Sequence, residues 1–273
     1  LGIVAFSQSP GDGLCRLWTL VTRSGAKRMK VIIVLPVYNE AKSLAPLLRR
    51  IERSMAQAAI SYRIILADDG STDASSAIAR SFARSLPMTI LEHRKNEGLG
   101  RTIKDGLHAA MRGCSDDDVV VTLDADNSQP PEAVPEMLKR LEAGFDVVIA
   151  SRYAPGARML HVPLYRRLLS ALGNTAYSLS LRAKGVRDYT CGFRAYRASI
   201  LRKGLRTYED GLISSPGFEC MAEVLIKLWR VGARLAEVPF TLDYGAKPNH
   251  RTMNLTRTLL GNLRMVVGTL WLR

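Results

Sequence analysis

Short apolar runs that alternate with helical patterns constrain the fold of this chain more than any other feature. The β-branched run 31–37 predicts a buried strand, and the leucines, isoleucine and methionine between 44 and 55 recur at helical spacing. Four further strands, separated by helices, are predicted at 62–67, 88–91, 119–123 and 146–150. This alternation predicts an α/β fold, with a mostly parallel sheet, right-handed crossovers and helices on both faces.

Polar and charged residues follow four of these five strands. Ligands of open parallel sheets bind beyond the carboxyl ends of the strands. We therefore expect the four strand ends to converge on one site. They read Pro36-Val37-Tyr38-Asn39-Glu40, Asp68-Asp69-Gly70-Ser71, Asp124-Ala125-Asp126 and Ser151-Arg152.

Asp124 and Asp126 lie one residue apart, so in an extended segment their side chains share a face. Carboxylate oxygens suit Mg²⁺ or Mn²⁺, which usually completes its shell with substrate phosphates. An isolated Asp-x-Asp is more often an acidic turn or a helix N-cap. Because this triplet directly follows an apolar strand, we interpret it as a metal site.

The segment after the second predicted strand has two interpretations. Gly70 and the Ser71-Thr72-Asp73 run are typical of a turn that caps a helix. That reading does not explain two adjacent carboxylates at a strand end. A carboxylate that accepts hydrogen bonds from a base or a ribose does explain them.

The charge balance favours an anionic partner. Lys and Arg outnumber Asp and Glu by 39 to 25, which gives a net charge of +14. Nucleic acid, anionic lipid and phosphorylated substrates all fit this charge, but we find no aromatic RNA-stacking signature or DNA-binding motif and expect no nucleic acid partner. The four cysteines are scattered without a CxxC pair and suggest neither a zinc site nor a disulfide framework.

Three stretches are expected along the chain. Residues 1–28 are interpreted as a poorly structured extension, 29–245 as one domain and 246–273 as a basic amphipathic segment. The stretch 166–181 also combines cationic and apolar residues without an acid, as an interfacial helix does. An amphipathic helix packed on the sheet fits that pattern equally well. No uncharged apolar run reaches about twenty residues, the length of a spanning helix.

Several motifs together resemble glycosyltransferase family 2, and within it the dolichol-phosphate mannosyltransferase group. The resemblance covers nearly everything from Met29 onward. It implies a GT-A fold, a Rossmann-like sheet in a single domain. The motifs are VLPVYNE (34–40), ADDGSTD (67–73), DAD (124–126), SRY (151–153), DYTCGFRAY (188–196), GFECMAE (217–223) and EVPF (237–240).

The resemblance also implies residue roles for the donor, a nucleoside diphosphate sugar such as GDP-mannose or UDP-glucose. Asp124 and Asp126 would hold Mg²⁺ or Mn²⁺, with Ser128 or Gln129 as weaker ligands where some relatives have a third. The residues expected to line the nucleoside pocket are Pro36, Tyr38, Glu40 and Asp68, with Asp69 either assisting or organising the turn.

Cations beside the donor diphosphate stabilise the charge that develops there. Arg152 is expected to act on the leaving group, with Arg194 as a second binding residue. Relatives carry a lysine in a Gly-x-Ser-Lys segment after EVPF, whereas this chain has Lys247 and Arg251 in that region, and either is expected to serve.

The predicted reaction is inverting sugar transfer, with mannose favoured, to a polyprenyl or dolichyl phosphate at the cytoplasmic face of a membrane. A phosphate acceptor is already anionic and needs no general base. One alternative is a family 2 transferase that uses a UDP-sugar and a hydroxyl acceptor, with Asp210 as the base. A remote one is a basic, non-enzymatic nucleic-acid or membrane-binding protein. Glu223 aligns with a glutamate typical of the group and is expected to position cationic side chains.

Overall fold

The computed structural model describes residues 29–181 and 185–246, with backbone only for residues 180, 181 and 246. The predicted 1–28 extension and nearly all of the predicted 246–273 segment lie outside the described residues. The domain boundaries therefore stay predictions.

Nine strands and seven α-helices make up the described part of the chain. The strands are β1 (Val31–Val37), β2 (Tyr62–Asp68), β3 (Met88–Glu92), β4 (Val119–Thr122), β5 (Val147–Ser151), β6 (Arg158–Leu160), β7 (Arg194–Arg197), β8 (Leu235–Pro239) and β9 (Thr241–Asp243). The helices are α1 (Ala41–Gln57), α2 (Ser75–Phe82), α3 (Leu99–Met111), α4 (Val134–Glu142), α5 (Leu164–Leu181), α6 (Ala198–Tyr208) and α7 (Glu219–Arg230).

Seven strands form one sheet in the order β3-β2-β1-β4-β7-β5-β8. All five predicted strands are present within one residue of their expected ends, and the predicted α/β fold with a mostly parallel sheet is confirmed. The sheet also has an antiparallel strand, β7, between β4 and β5. Its four residues alternate Arg-Ala-Tyr-Arg, a pattern too short to predict a strand.

The core forms around β1, whose residues are all buried except the half-buried Pro36. Helix α1 packs on it with a buried stripe of apolar residues at helical spacing, from Leu44 to Met55. On the sheet, β1 pairs in parallel with both β2 and β4. The ends of these strands therefore open at the same edge.

A separate two-stranded parallel ribbon, β6 with β9, lies beside this edge of the sheet. Helix α5 follows β6 and carries several exposed leucines. Across the described ranges, no helix is both long and apolar enough to cross a bilayer.

Helix α3 approaches β1 closely because Gly106 has no side chain. A Cβ atom built on Gly106 would lie 2.6 Å from Val34 Cγ1, a buried atom of the central strand. This contact is shorter than real Cβ contacts allow, so one of the two elements would have to shift.

Gly106→Ala is therefore expected to lower the free energy of unfolding by about 1–3 kcal/mol, the usual effect of overpacking a core. Urea unfolding followed by circular dichroism measures the change. Gly173→Ala on α5 is the matched control, because its Cβ would meet nothing within 4 Å and helix propensity predicts a gain of up to about 1 kcal/mol. A Gly106→Ala protein as stable as the wild type would contradict the packing argument.

Candidate active site

The carboxyl ends of β1, β2, β4 and β5 open into one cavity of about 580 Å³. The structure thus brings together most of the residues that the sequence singles out. Those in the cavity wall are Pro36, Tyr38, Glu40, Asp69, Asp124, Asp126, Ser128, Gln129 and Arg152.

Local hydrogen bonds hold the carboxylates of Asp124 and Asp126 in this wall. Gln129 Nε2 donates to Asp124 Oδ2 at 2.5 Å, and the backbone N–H of Asp124 donates to Gln129 Oε1 at 3.0 Å. The backbone N–H and the hydroxyl of Ser128 donate to Asp126 Oδ1 at 3.0 and 2.6 Å. Asn127, with φ of 62°, turns the chain between them.

These two carboxylates fit a divalent cation that is shared with a phosphate ligand. Within residues 29–181 and 185–246, no group of three or more His, Cys, Asp and Glu side chains forms a self-sufficient metal cluster. Mg²⁺ is commonly bound by one or two carboxylates, with phosphate oxygens and water completing its shell. Ser128 and Gln129, predicted as weaker ligands, are hydrogen-bonded to the two aspartates.

Arg152, directly after β5, is fixed by a bidentate ion pair with Asp188. Its Nε and Nη2 atoms donate to Asp188 Oδ2 and Oδ1 at 2.8 and 2.7 Å, and Nη2 also donates to Thr190 Oγ1. Burial alone would raise the pKa of Asp188, but Arg152 holds it below the ordinary value. The Arg152 side chain keeps 19% of its surface exposed, and the residue lines the cavity. A guanidinium held in this way is preorganised for an anion.

Glu237 on β8 holds the loop that carries Asp188, the carboxylate partner of Arg152. Its Oε1 accepts the backbone N–H groups of Arg187 and Asp188 at 2.7 and 2.8 Å. Burial raises the pKa of the Glu237 carboxyl. The loop that presents Asp188 is therefore tied to the sheet on both sides.

Asn39 joins the turn after β1 to the turn after β2. Its Oδ1 accepts the backbone N–H groups of Thr72 and Asp73 at 2.7 and 3.2 Å, and its own N–H donates to Ser71 Oγ. Asn39 has φ of 55°, a conformation that asparagine adopts more readily than most residues. These hydrogen bonds therefore connect the two turns directly.

The structure corrects the roles expected for the two adjacent aspartates at the end of β2. Asp68 was expected to line the nucleoside pocket, and Asp69 to assist there or to organise the turn. Asp69 lines the cavity, whereas Asp68 is buried behind it and accepts hydrogen bonds from the Ser71 N–H and the Ser76 hydroxyl. Adjacent residues at a strand end point to opposite sides, so only one of the two faces the cavity. Asp68 is a turn residue here.

Arg194 is also corrected, because its side chain is fully buried in the core. It donates to the carbonyl oxygens of Tyr189 and Met221, and it is not among the cavity-lining residues. A guanidinium without solvent access cannot contact a donor in the cavity. The other predicted phosphate-binding residues, Lys247 and Arg251, lie outside the described residues.

Asp210 and Glu223 lie away from the cavity wall. The Asp210 side chain is 89% exposed and forms an ion pair with Lys104 at 3.2 Å. Glu223 accepts the N–H groups of Ser214 and Ser215 and pairs with Lys227. Glu223 therefore holds the loop before α7 and pairs with the ammonium group of Lys227. A contact with a cationic side chain is what the sequence predicted for it.

Two cavity residues that the sequence did not identify as ligand contacts are Arg166 and Arg167 on α5. Arg166 Nη1 donates to the Tyr244 hydroxyl at 2.9 Å, and its guanidinium lies 5.7 Å from the centre of the Tyr244 ring. The acid-free pattern of 166–181 indicated an amphipathic helix. It gave no sign that the arginines face a cavity.

The opposite face of α5 is apolar and exposed. Four leucines on it keep between 57% and 71% of their surface accessible, namely Leu164, Leu168, Leu172 and Leu179. Isolated exposed leucines are ordinary, but a contiguous stripe on one helix indicates an interaction surface. We call these four residues the leucine stripe.

Comparison with known proteins agrees with this arrangement. The model of the family described as "Glycosyl transferase family 2" matches residues 32–205. A dolichol-phosphate mannosyltransferase of Pyrococcus furiosus is 30% identical over 80% of this chain, which spans 58% of that relative. An undecaprenyl-phosphate 4-deoxy-4-formamido-L-arabinose transferase of Pseudomonas fluorescens is 40% identical over 66% of the chain, which spans 50% of that relative.

Among solved structures, the fold resembles glucosyl-3-phosphoglycerate synthase from Mycobacterium tuberculosis, crystallised with Mn²⁺, UDP and phosphoglyceric acid. The TM-score is 0.61 at 20% identity, and the match covers 89% of this chain and 77% of the other. This likeness confirms the predicted GT-A fold. The family model spans more than half of the sequence and confirms the resemblance drawn from the motifs: the chain belongs to glycosyl transferase family 2.

Proposed function

We propose that this chain transfers a sugar, with mannose favoured, from a nucleoside diphosphate sugar to a polyprenyl or dolichyl phosphate, with inversion at C1. One observation carries the proposal. The cavity combines the Asp124 and Asp126 carboxylates with Arg152, and it is also lined by Arg166 and Arg167 from the helix that bears the leucine stripe. Asp124, Asp126 and Arg152 suit a diphosphate with its metal. Arg166 and Arg167 suit the phosphate of a lipid.

The names of the relatives support the acceptor more strongly than the sugar. Both are named for sugar transfer to a polyprenyl-type phosphate, dolichol phosphate in one and undecaprenyl phosphate in the other, but the sugars differ. Mannose is favoured because the mannosyltransferase match covers more of this chain, 80% against 66%. GDP-mannose is accordingly the first donor to test and UDP-glucose the second.

Asp124 and Asp126 would hold Mg²⁺ or Mn²⁺, which neutralises diphosphate charge and improves the leaving group. The solved relative contains Mn²⁺ and UDP, which supports this choice of cation. Gln129 and Ser128 keep the two carboxylates in place through their hydrogen bonds. Arg152, held by Asp188, stabilises the negative charge that grows on the diphosphate as its bond to C1 breaks.

An oxygen of the acceptor phosphate attacks C1 of the sugar from the side opposite the diphosphate. The new C1–O bond forms as the C1–O bond to the diphosphate breaks, and the nucleoside diphosphate leaves. The acceptor is largely dianionic near neutral pH, so no side chain needs to remove a proton. Arg166 and Arg167 bind the acceptor phosphate and orient it.

The hydroxyl-acceptor alternative requires a carboxylate base within hydrogen-bond reach of the acceptor. Asp210, the residue considered for that role, is exposed, paired with Lys104 and absent from the cavity wall. This geometry favours the phosphate acceptor. The remote alternative, a non-enzymatic nucleic-acid or membrane-binding protein, draws support only from the net charge of +14.

We further propose that the protein binds peripherally to the cytoplasmic face of a membrane through the leucine stripe. An amphipathic helix binds a bilayer through its buried apolar area and its cationic residues. Helix α5 has both, and Arg166 and Arg167 on the same helix line the cavity. Docking of this helix would therefore bring the cavity to the lipid headgroups.

Asp126→Asn is expected to lower kcat by at least about 100-fold, because it weakens the metal and the charge stabilisation that depends on it. The assay follows radiolabelled mannose from GDP-mannose to polyprenyl phosphate with Mn²⁺. Asp116→Asn is the matched control, since Asp116 is exposed and pairs with Arg202 away from the cavity. Full activity of Asp126→Asn would exclude the metal assignment.

Asp210→Asn is expected to leave kcat within about twofold of the wild type in the same assay, since a phosphate acceptor needs no base. The variant loses only an exposed ion pair, which contributes about 0–1 kcal/mol to stability. Abolished turnover with normal folding would instead support a hydroxyl acceptor.

The double variant Leu168→Glu/Leu172→Glu is expected to bind vesicles that contain anionic lipid at least about tenfold more weakly, since burial of each leucine contributes about 1.5–3 kcal/mol. Vesicle co-sedimentation measures the change. Trp229→Glu, an exposed apolar residue on α7, is the control and should bind as the wild type does. Equal binding by the double variant would rule out the stripe as the membrane contact.

A further inference from the structure

His93, directly after β3, lies between two carboxylates. Its Nδ1 is 2.9 Å from Asp69 Oδ1, and its Nε2 is 3.1 Å from Asp105 Oδ2 on α3. Only 11% of the side chain is exposed. The ring therefore bridges the end of β2 and the helix that covers it.

This bridge is strong only when both ring nitrogens donate. An ionised carboxylate can only accept hydrogen bonds, so each ring nitrogen contributes to the bridge only when it carries a hydrogen. Arg101 also contacts Asp105, with its Nε 2.6 Å from the same Asp105 oxygen. Asp105 therefore lies between Arg101 and His93, and His93 lies between Asp105 and Asp69 of the cavity wall.

Asp69 in turn shapes the loop before α3. Its Oδ1 accepts the backbone N–H of Glu97 at 2.8 Å, and its Oδ2 accepts that of Gly98 at 3.0 Å. Gly98 has φ of 95°, and a Cβ there would lie 2.8 Å from the Pro216 carbonyl oxygen. Position 98 therefore has no room for a side chain, and the Asp69 carboxylate binds both backbone amides of the loop.

This loop borders the same end of the cavity as the β1 residues predicted to receive the nucleoside. Asn96 and Gly98 of this loop line the cavity together with Leu99 and Thr102 at the start of α3, and Pro36 and Tyr38 line it too. His93 itself is not among the lining residues. His93 can therefore influence the donor only through its neighbours, and of its two carboxylate partners Asp69 is the one that lines the cavity.

We propose that His93 is a positioning residue for the donor nucleoside, which orients Asp69 and through it the Glu97–Gly98 backbone. The inference rests on the proposed function for the identity of the ligand. It goes beyond that function because it assigns a role in setting the affinity for the donor to a residue that does not contact the donor.

Three substitutions of His93 test its contact with Asp69 separately from its contact with Asp105. His93→Phe keeps the ring volume and removes both donors. His93→Asn carries an N–H group at the δ position, where it reaches toward Asp69, and His93→Gln carries one at the ε position, toward Asp105. Only the contact with Asp69 bears on the loop, so Asn should preserve donor binding better than Gln or Phe.

Titration calorimetry with GDP and with UDP, each with Mg²⁺, measures the effect on binding. His93→Phe and His93→Gln are expected to bind at least about tenfold more weakly, the effect of losing one charge-assisted hydrogen bond, and His93→Asn should stay within about threefold. In the transfer assay, KM for the donor should rise and kcat should stay within about twofold. His108→Phe, on α3 but outside the cavity wall, is the control for a histidine on the same face of the sheet.

Amide hydrogen exchange without nucleotide tests the positioning separately from the proposed function. The Glu97 and Gly98 amides should exchange faster in His93→Phe than in His93→Asn or the wild type. Equal exchange rates, or a wild-type nucleotide affinity in His93→Phe, would overturn the inference. If the wild type binds neither nucleotide while the exchange rates differ as expected, the proposed function fails and the loop-positioning role stands. If His93→Phe does not fold, His93→Gln takes its place in both measurements.

Discussion

The parallel pairing of β1 with β2 and β4 is the constraint on which the site depends. In this register Val37 lies opposite Asp68, and Val34 lies opposite Thr122. The chain therefore leaves all three strands at one edge of the sheet. The buried apolar strands fix the position of that edge. The polar residues that follow the strands therefore lie close together because the strands pair, and this does not depend on packing between the polar residues.

Several charged groups of the cavity are held by a second polar group. Arg152 is paired with Asp188, which Glu237 supports, and Asp124 is held by Gln129. A buried or half-buried charge is costly unless it is paired and hydrogen-bonded. These supports offset that cost before a ligand arrives, and they keep the side chains from reorganising when phosphate charge enters the cavity.

The cavity also joins two kinds of surface. Its sheet side presents carboxylates and a guanidinium, whereas α5 contributes two arginines and turns the leucine stripe outward. This division matches a pair of substrates that are both charged near the reacting atoms, one of which also has an apolar tail.

The sequence alone predicted the five strands and the α/β class, and it singled out Asp124 and Asp126, which line the cavity, because period and strand-end chemistry are local properties. Motif resemblance added the family. Tertiary structure alone decided which of Asp68 and Asp69 faces the cavity, since adjacent side chains at a strand end point to opposite sides. It also buried Arg194 within β7, left Asp210 outside the cavity and turned Arg166 into it. Each of these outcomes depends on contacts between distant segments, and local pattern carries no information about them.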